Sequence, residues 1–440
     1  MTRSTDRPIS TIRSSDHPLL TPALRVLAIV LLTSLRLGAY SVLTHEQVVD
    51  LAWQDQIQPM LLARFPATTP DQLRRAHAFA YGGSVVQDMG YYPFGNKYFS
   101  DLLHYVRSGD FVANLLQESS DVNEYAFALG ALAHYASDNV GHPTINRVVA
   151  IDSPKLRAKY GDEVTYADNH KIHIQTEFGF DMVQVAKNRY TSDRYHDFIG
   201  FEIAKPQLER AFLKTYGLKL GDVLGDEDLA IGTFRRAVST FIPAMTRVAL
   251  LNRRAELVKD TPNPSTKKFL YQISRSNYEK EWGRGYRRPG TGSRILAFLL
   301  HILPKVGPAT ALDFKIPNAK TEDLYVKSVD RTIDNYHALL TQVVRQDLNF
   351  PNTDCDTGRQ AVAAEYSLAD KTYARWLSDL KKAKFSQLTP ELRTSILDFY
   401  SHTKPELRTK KQEKAWRATK RELDELRNWS GANAASARTK

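Results

Sequence analysis

The chain has 440 residues, of which 42% are hydrophobic and 25% charged, and this globular composition excludes a wholly disordered protein. Its single cysteine, Cys355, excludes an intramolecular disulfide and any cysteine-rich zinc or iron–sulfur site. The formal net charge of +11 favours an anionic partner, such as a phospholipid surface or nucleic acid. Seven of the twelve histidines lie between His45 and His173, so this part of the chain is where chemistry is expected.

Residues 1–39 are predicted to direct the protein to export. Residues 1–25 are polar and basic, residues 26–35 form an apolar run, and Gly38 and Ala39 provide the small residues of a cleavage site. The apolar run is too short to cross a bilayer as a helix. This pattern is typical of a secretory signal peptide, which would leave Tyr40 at the start of an exported, periplasmic or secreted chain. An uncleaved membrane anchor and a buried helix are the alternatives.

The rest of the chain is predicted to be all-α. Apolar residues recur at helical spacing, for example in 125–135 and 234–249, and alternating runs bounded by hairpin turns are scarce. Breaks rich in proline, glycine and lysine at 259–267 and 284–293 predict a boundary. We expect a multi-helix domain at 40–255, an additional helical C-terminal region at 256–430 and a disordered tail at 431–440.

The most specific motif lies in the segment 126–143. His134 and Asp138 are four residues apart, so on a helix their side chains project from one face and can hold one metal ion. His142 extends this row by a turn, and Gly141 and Pro143 predict that the helix ends or bends there. Burying two imidazoles and a carboxylate without partners would cost several kcal/mol. A metal site is therefore favoured over a solvated polar face.

His173 and Glu177 have the same four-residue spacing and form a second candidate pair. Such a pair is also common on exposed helix surfaces, so alone it is weak evidence for a site. His170 lies one turn before His173 and competes with it as the ligand.

Three further residues are candidates from their local sequence. Asp88 precedes a Gly/Tyr/Pro turn and is either a turn former or a ligand held at a rigid corner. His104 is flanked by apolar residues, a setting in which a core histidine is also common. His45 follows Thr44, which could cap a helix, and it would lie close to the new α-amino group at Tyr40.

Taken in order, these motifs resemble the zinc-dependent phospholipase C family, whose fold is shared with single-strand-specific zinc nucleases. The resemblance lies in an early histidine, an acid before an aromatic-proline turn, a histidine, then His-x3-Asp, a histidine and His-x3-Glu. It covers residues 40–185, and the phrase at 40–46 resembles the exported bacterial branch of the family. It implies an all-helical domain that holds up to three zinc ions.

The ligands that the resemblance implies fall into three groups, one for each zinc ion. The groups are Asp88, His104, His134 and Asp138; His142, His173 and Glu177; and His45 with the bridging Asp138 and the N-terminal amine.

This nitrogen and oxygen donor set suits zinc, although manganese or iron could occupy it. Clustered zinc ions can clamp a phosphodiester and activate water, and Asp88 could orient or deprotonate that water. We therefore expect phosphodiester hydrolysis on a phospholipid. The alternatives are a nuclease, which the absence of evident aromatic stacking platforms disfavours, and a non-catalytic protein that keeps metal for folding.

Membrane contact at the protein surface is a further expectation. The apolar run at 293–305 is either a buried helix or a segment that meets the lipid surface. The sequence leaves open the lipid headgroup, C-type or D-type cleavage, and the oligomeric state.

Overall fold

The structure is a computed structural model that describes residues 41–187, 200–238, 242, 246, 256, 313–401 and 409–429. The predicted export signal with Tyr40, both polar breaks, the apolar run at 293–305 and the tail lie outside these residues. Among the described helices, none combines the length and the apolar character needed to span a membrane.

The prediction of an all-α fold is confirmed. A π-helical turn spans Trp53–Ile57, a 3-10 helix spans Val86–Tyr91, and two short strands form a hairpin, β1 (Thr353–Asp354) and β2 (Arg359–Gln360). The α-helices are α1 (Val42–Ala52), α2 (Gln58–Arg64), α3 (Pro70–Val85), α4 (Lys97–Tyr105), α5 (Ser108–Gln117), α6 (Val122–Asp152), α7 (Pro154–Tyr160), α8 (Tyr166–Ala186), α9 (Lys205–Tyr216), α10 (Leu220–Leu224), α11 (Glu227–Arg236), α12 (Ala319–Val344), α13 (Ser367–Lys382), α14 (Pro390–Phe399) and α15 (Lys410–Arg427).

Helices α3 and α6 pack against each other at the centre of the fold. A Cβ atom on Gly83 would lie 1.9 Å from the carbonyl oxygen of Phe127, and one on Gly130 would lie 2.0 Å from that of Ala80. Only glycine therefore permits this close approach of the two backbones. The approach brings the C-terminal end of α3, where the last carbonyls have no partner within the helix, against the middle of α6.

One apolar core extends from Val42 in α1 to Leu426 in α15. Helix α12 packs along α6, and the hydroxyl of Tyr336 donates to the carbonyl of Leu129 over 2.9 Å. Helices from both sides of the predicted boundary near residue 255 thus share a core. The boundary itself lies outside the described residues and stays a prediction.

Helix α6 does not end at Gly141 and Pro143, because it continues to Asp152. Proline has no N–H, so the carbonyl of Asn139 cannot receive the usual helical hydrogen bond from residue 143. The β1–β2 turn packs on this carbonyl, and a Cβ atom on Gly358 would lie 2.4 Å from its oxygen. Tertiary packing at this point therefore keeps the helix continuous where sequence alone allowed it to end.

Candidate metal centre

Five separate elements bring the predicted ligands into one buried region. Helix α1 provides His45, the 3-10 helix Asp88, α4 His104, α6 three residues and α8 two. Each of these residues is at most 3% exposed. The residues are His45, Asp88, His104, His134, Asp138, His142, His173 and Glu177.

The first cluster is centred on Asp138 and consists of this residue with His45, Asp88, His104 and His134. The Oδ2 atom of Asp138 lies 3.0 Å from Nε2 of His134 and 3.3 Å from Nε2 of His104. Its Oδ1 atom lies 3.5 Å from Nε2 of His45. Nε2 of His104 is also 3.4 Å from Oδ1 of Asp88. One carboxylate thus lies between imidazoles from three helices, as a bridging ligand would.

Backbone carbonyls orient two of these imidazoles. Nδ1 of His134 is 2.9 Å from the carbonyl oxygen of Ser84, at the end of α3, and Nδ1 of His104 is 2.7 Å from that of Ser100. A carbonyl oxygen only accepts, so both Nδ1 atoms must donate. In a neutral imidazole this leaves the lone pair on Nε2, the atom that faces the cluster, and such an outer hydrogen bond is typical of metal-binding histidines.

Carboxylate oxygens of the first cluster have lone pairs that are available to a cation. Within the part of the chain that is described, neither oxygen of Asp138 has a hydrogen-bond partner, and Oδ1 of Asp88 has none. A buried carboxylate in this state costs several kcal/mol unless a positive charge compensates it. Two groups of three residues have ligand atoms within 4.8 Å of one another: His45, His134 and Asp138, and Asp88, His104 and His134. These residues fit a metal ion.

The second cluster consists of His142, His173 and Glu177. Nδ1 of His173 lies 2.6 Å from Oε1 of Glu177, and the rings of His142 and His173 are perpendicular with centroids 5.4 Å apart. Nε2 of His173 donates to Oδ1 of Asn146 over 2.8 Å, which leaves the lone pair on Nδ1. Both oxygens of Glu177 and both ring nitrogens of His142 have no hydrogen-bond partner among the described residues.

The structure separates the two histidines that the sequence left as competitors. His173 is fully buried in the second cluster, whereas His170 is exposed. Asn169 has non-helical backbone angles, and its side chain accepts from the N–H of Ile172. The helix therefore restarts after Asn169, and the register of the new segment points His173 inward.

Sequence reasoning missed Asp356, which comes from the β1–β2 turn in the C-terminal region. Its Oδ1 atom lies 3.0 Å from Nδ1 of His142, and the residue is 2% exposed. The only local signal is the run Asp-Cys-Asp-Thr-Gly at 354–358, which suggests a carboxylate presented from a tight turn. Sequence reasoning also missed Asn146, which orients His173.

The charges of the first cluster are set by its burial and by its own members. Burial raises the pKa of Asp138, but His134 and His142 outweigh it and hold that pKa well below its usual value. Burial, reinforced by His134, lowers the pKa of His45 to about 3. Burial also lowers the pKa of His104, but Asp138 and Asp88 outweigh it and raise that pKa well above its usual value. The metal-free cluster at neutral pH therefore holds a proton on His104.

The second cluster also holds protons when it is metal-free. Burial, followed by repulsion from Asp88 and Asp138, raises the pKa of Glu177 well above its usual value. Burial lowers the pKa of His142, but Asp138 and Asp356 outweigh it and raise that pKa. Burial lowers the pKa of His173 to about 3, so this imidazole is neutral.

We expect zinc binding to the metal-free protein at pH 7 to release protons, because the metal replaces those on His104 and Glu177. Competition from protons weakens as pH rises, so the apparent zinc affinity should increase between about pH 6 and 8. Titration with zinc in weakly buffered solution with a pH indicator measures both effects. The exposed variant His170→Gln serves as the control and should release as many protons as the wild type. Zinc binding without proton release would contradict this electrostatic account.

Comparison with known proteins relates one segment of the chain to a family. Residues 44–222 match the family model of zinc dependent phospholipase C, and this range contains all eight predicted ligands but not Asp356. No curated protein and no solved structure matches the chain. The all-α fold and the buried histidine and carboxylate groups agree with this match, so residues 44–222 are similar to the zinc-dependent phospholipase C family.

Proposed function

We propose that the protein is a zinc-dependent phosphodiester hydrolase that acts on phospholipids by phospholipase C-type cleavage. The observation that carries the proposal is the environment of Asp138. This buried carboxylate lies between imidazoles from α1, α4 and α6, and its oxygens have no hydrogen-bond partner in the described residues. A cluster of several such ligand groups is typical of enzymes that hydrolyse phosphate esters with more than one metal ion.

Zinc would be held by three sets of donors, as the family resemblance implies. The sets are Asp88, His104, His134 and Asp138; His142, His173 and Glu177; and His45 with Asp138 and the amine of the mature N-terminus. When bound, zinc supplies Lewis acidity toward the phosphoryl oxygen and the attacking water.

Other groups of the chain orient these donors, and one carboxylate removes the proton of the attacking water. The carbonyls of Ser84 and Ser100 fix two imidazoles so that their Nε2 atoms face the cluster. Asp88 is carried by a short 3-10 helix rather than by the long helices, and its Oδ1 atom has no hydrogen-bond partner in the described residues. We assign to Asp88 the orientation of the attacking water and the removal of its proton.

The start of α1 supports a mature N-terminus close to the cluster. Ser41 is buried four residues before His45. The N–H of Leu43 and the hydroxyl of Thr44 both donate to the buried carboxylate of Asp181, over 3.2 and 2.5 Å. These bonds hold the first turn of α1 inside the fold. Cleavage before Tyr40 on export would therefore leave the new amine one residue from a buried position.

The test is a comparison of products on defined substrates. Incubation with phosphatidylcholine and phosphatidylethanolamine in mixed micelles is expected to release diacylglycerol and the phosphorylated headgroup, whereas D-type cleavage would release phosphatidic acid. The variant His134→Ala should be inactive, and the matched variant His170→Gln should retain wild-type activity because His170 is exposed outside both clusters. Cleavage of single-stranded DNA or RNA without lipid hydrolysis would overturn the proposal in favour of a nuclease.

A further inference from the structure

The β1–β2 hairpin of the C-terminal region is seated on the ligand-bearing face of α6. The hydroxyl of Thr353 donates to Oδ1 of Asn139 over 2.7 Å. Gly358 has a φ of +67° and lies so close to the carbonyl of Asn139 that no side chain fits there. Pro143 frees that carbonyl from the helical hydrogen-bond pattern. The hairpin also contacts α4, because the N–H of Cys355 donates to the carbonyl of His104 over 3.0 Å.

This seating fixes the side chain of Asp356. Its Oδ2 atom accepts hydrogen bonds from the hydroxyls of Tyr105, at 2.9 Å, and Tyr366. Its backbone carbonyl accepts from Nδ2 of Asn146 over 2.8 Å, and the same amide orients His173 through Oδ1. With Oδ2 held by two tyrosines, Oδ1 is directed at His142, 3.0 Å from Nδ1.

The contact between Asp356 and His142 is a close approach without the geometry of a hydrogen bond. Nδ1 of His142 has no hydrogen-bond partner among the described residues, although an oxygen lies 3.0 Å away. Without an aligned N–H the ring nitrogen does not donate to the oxygen, so both atoms are available to one ion. His142 is 1% exposed, so its ring is shielded from bulk solvent.

The second cluster has room for a fourth protein donor. Zinc binds four ligands, of which water supplies one in many catalytic sites, and His142, His173 and Glu177 provide three. Their single carboxylate also leaves a dication only half neutralised in a fully buried setting. Asp356 brings the donors to four and the carboxylates to two, which balances the charge of the ion.

We propose that Asp356 is a direct ligand of the metal ion in the second cluster. This inference rests on the proposed zinc binding, and it assigns a ligand that lies outside the matched segment 44–222. The C-terminal region is then part of the metal centre, and a protein shortened to the matched segment would lack a complete second site.

The first test measures zinc in the full-length protein by elemental analysis and by competition with a chromogenic chelator. The variant Asp356→Asn is expected to hold one zinc ion fewer per chain than the wild type, or to bind that ion at least about tenfold more weakly. The matched control is Asp354→Asn, which changes a carboxylate of the same hairpin that, among the described residues, bonds only the N–H and hydroxyl of Thr357. This control should keep the wild-type zinc content.

A second variant tests direct ligation through a new absorption band rather than through a loss of zinc. In Asp356→Cys loaded with Co²⁺, a thiolate bound to the metal should add a near-ultraviolet charge-transfer band that the wild type lacks, since Cys355 is common to both. Circular dichroism is measured on each variant to check that it is folded.

The outcomes separate this inference from the proposed function. A wild type that holds zinc together with an Asp356→Asn variant of equal content and affinity would overturn the ligand assignment and leave the proposed function standing. Loss of zinc in Asp356→Asn without a new band in folded, cobalt-loaded Asp356→Cys would also overturn it, in favour of a carboxylate that only orients His142. A wild type without zinc would overturn both.

Discussion

Asp138→Asn is expected to remove zinc from the first cluster and to reduce phospholipid hydrolysis below detection. Asparagine keeps the shape of the side chain, but it is neutral and replaces one ligand oxygen with an N–H donor. Both carboxylate oxygens of Asp138 face imidazoles, at 3.0 to 3.5 Å, so neither can be replaced without loss of a ligand. Elemental analysis and headgroup release, measured on one preparation, check the expectation.

The matched control for this variant is Asp50→Asn. Asp50 is equally buried and also contacts a histidine, with Oδ1 3.0 Å from Nε2 of His77, but it lies outside both clusters. The hydroxyl of Tyr81 donates to the same oxygen, so the amide oxygen of asparagine can still accept it. This control should keep zinc and activity and lose stability only. If Asp138→Asn retained full zinc and wild-type turnover, the bridging role of Asp138 would be wrong.

Removal of the metal with a chelator is expected to lower the melting temperature by several degrees, on the order of 10 °C. Metal binding at about a thousand times its Kd stabilises a fold by about 4 kcal/mol for each site. Without the ion, the Asp138 carboxylate remains charged in the core, whereas Glu177 takes up a proton. The metal therefore compensates buried charge that the rest of the fold does not.

Differential scanning calorimetry with and without chelator measures this effect, and added zinc should restore the original melting temperature. In Asp138→Asn the shift should be smaller, because part of the metal is already lost. A melting temperature that is unchanged by complete zinc removal would mean that the clusters are stabilised without metal, contrary to the electrostatic argument.

Local sequence patterns were enough to predict the helical class and the residues that share a helix face. The spacing of His134, Asp138 and His142 depends only on the period of 3.6 residues per turn, and the structure places them along one buried stretch of α6. The same spacing pairs His173 with Glu177 in α8. These are properties of short segments, so sequence alone determines them.

Which of these residues meet, and which residue joins them, was decided only by tertiary packing. The close approach of α3 and α6 at Gly83 and Gly130 brings the carbonyl of Ser84 to His134, and no local pattern encodes that distance. Asp356 is more than two hundred residues from His142 in the chain, and it arrives because the hairpin turn fits the carbonyl that Pro143 leaves free. Sequence by itself therefore determined the helices, their periodic ligand pairs and the family resemblance, since these depend on near neighbours. The convergence of five elements, the choice of His173 over His170 and the contribution of the C-terminal hairpin depend on contacts between distant segments, which only the folded core sets.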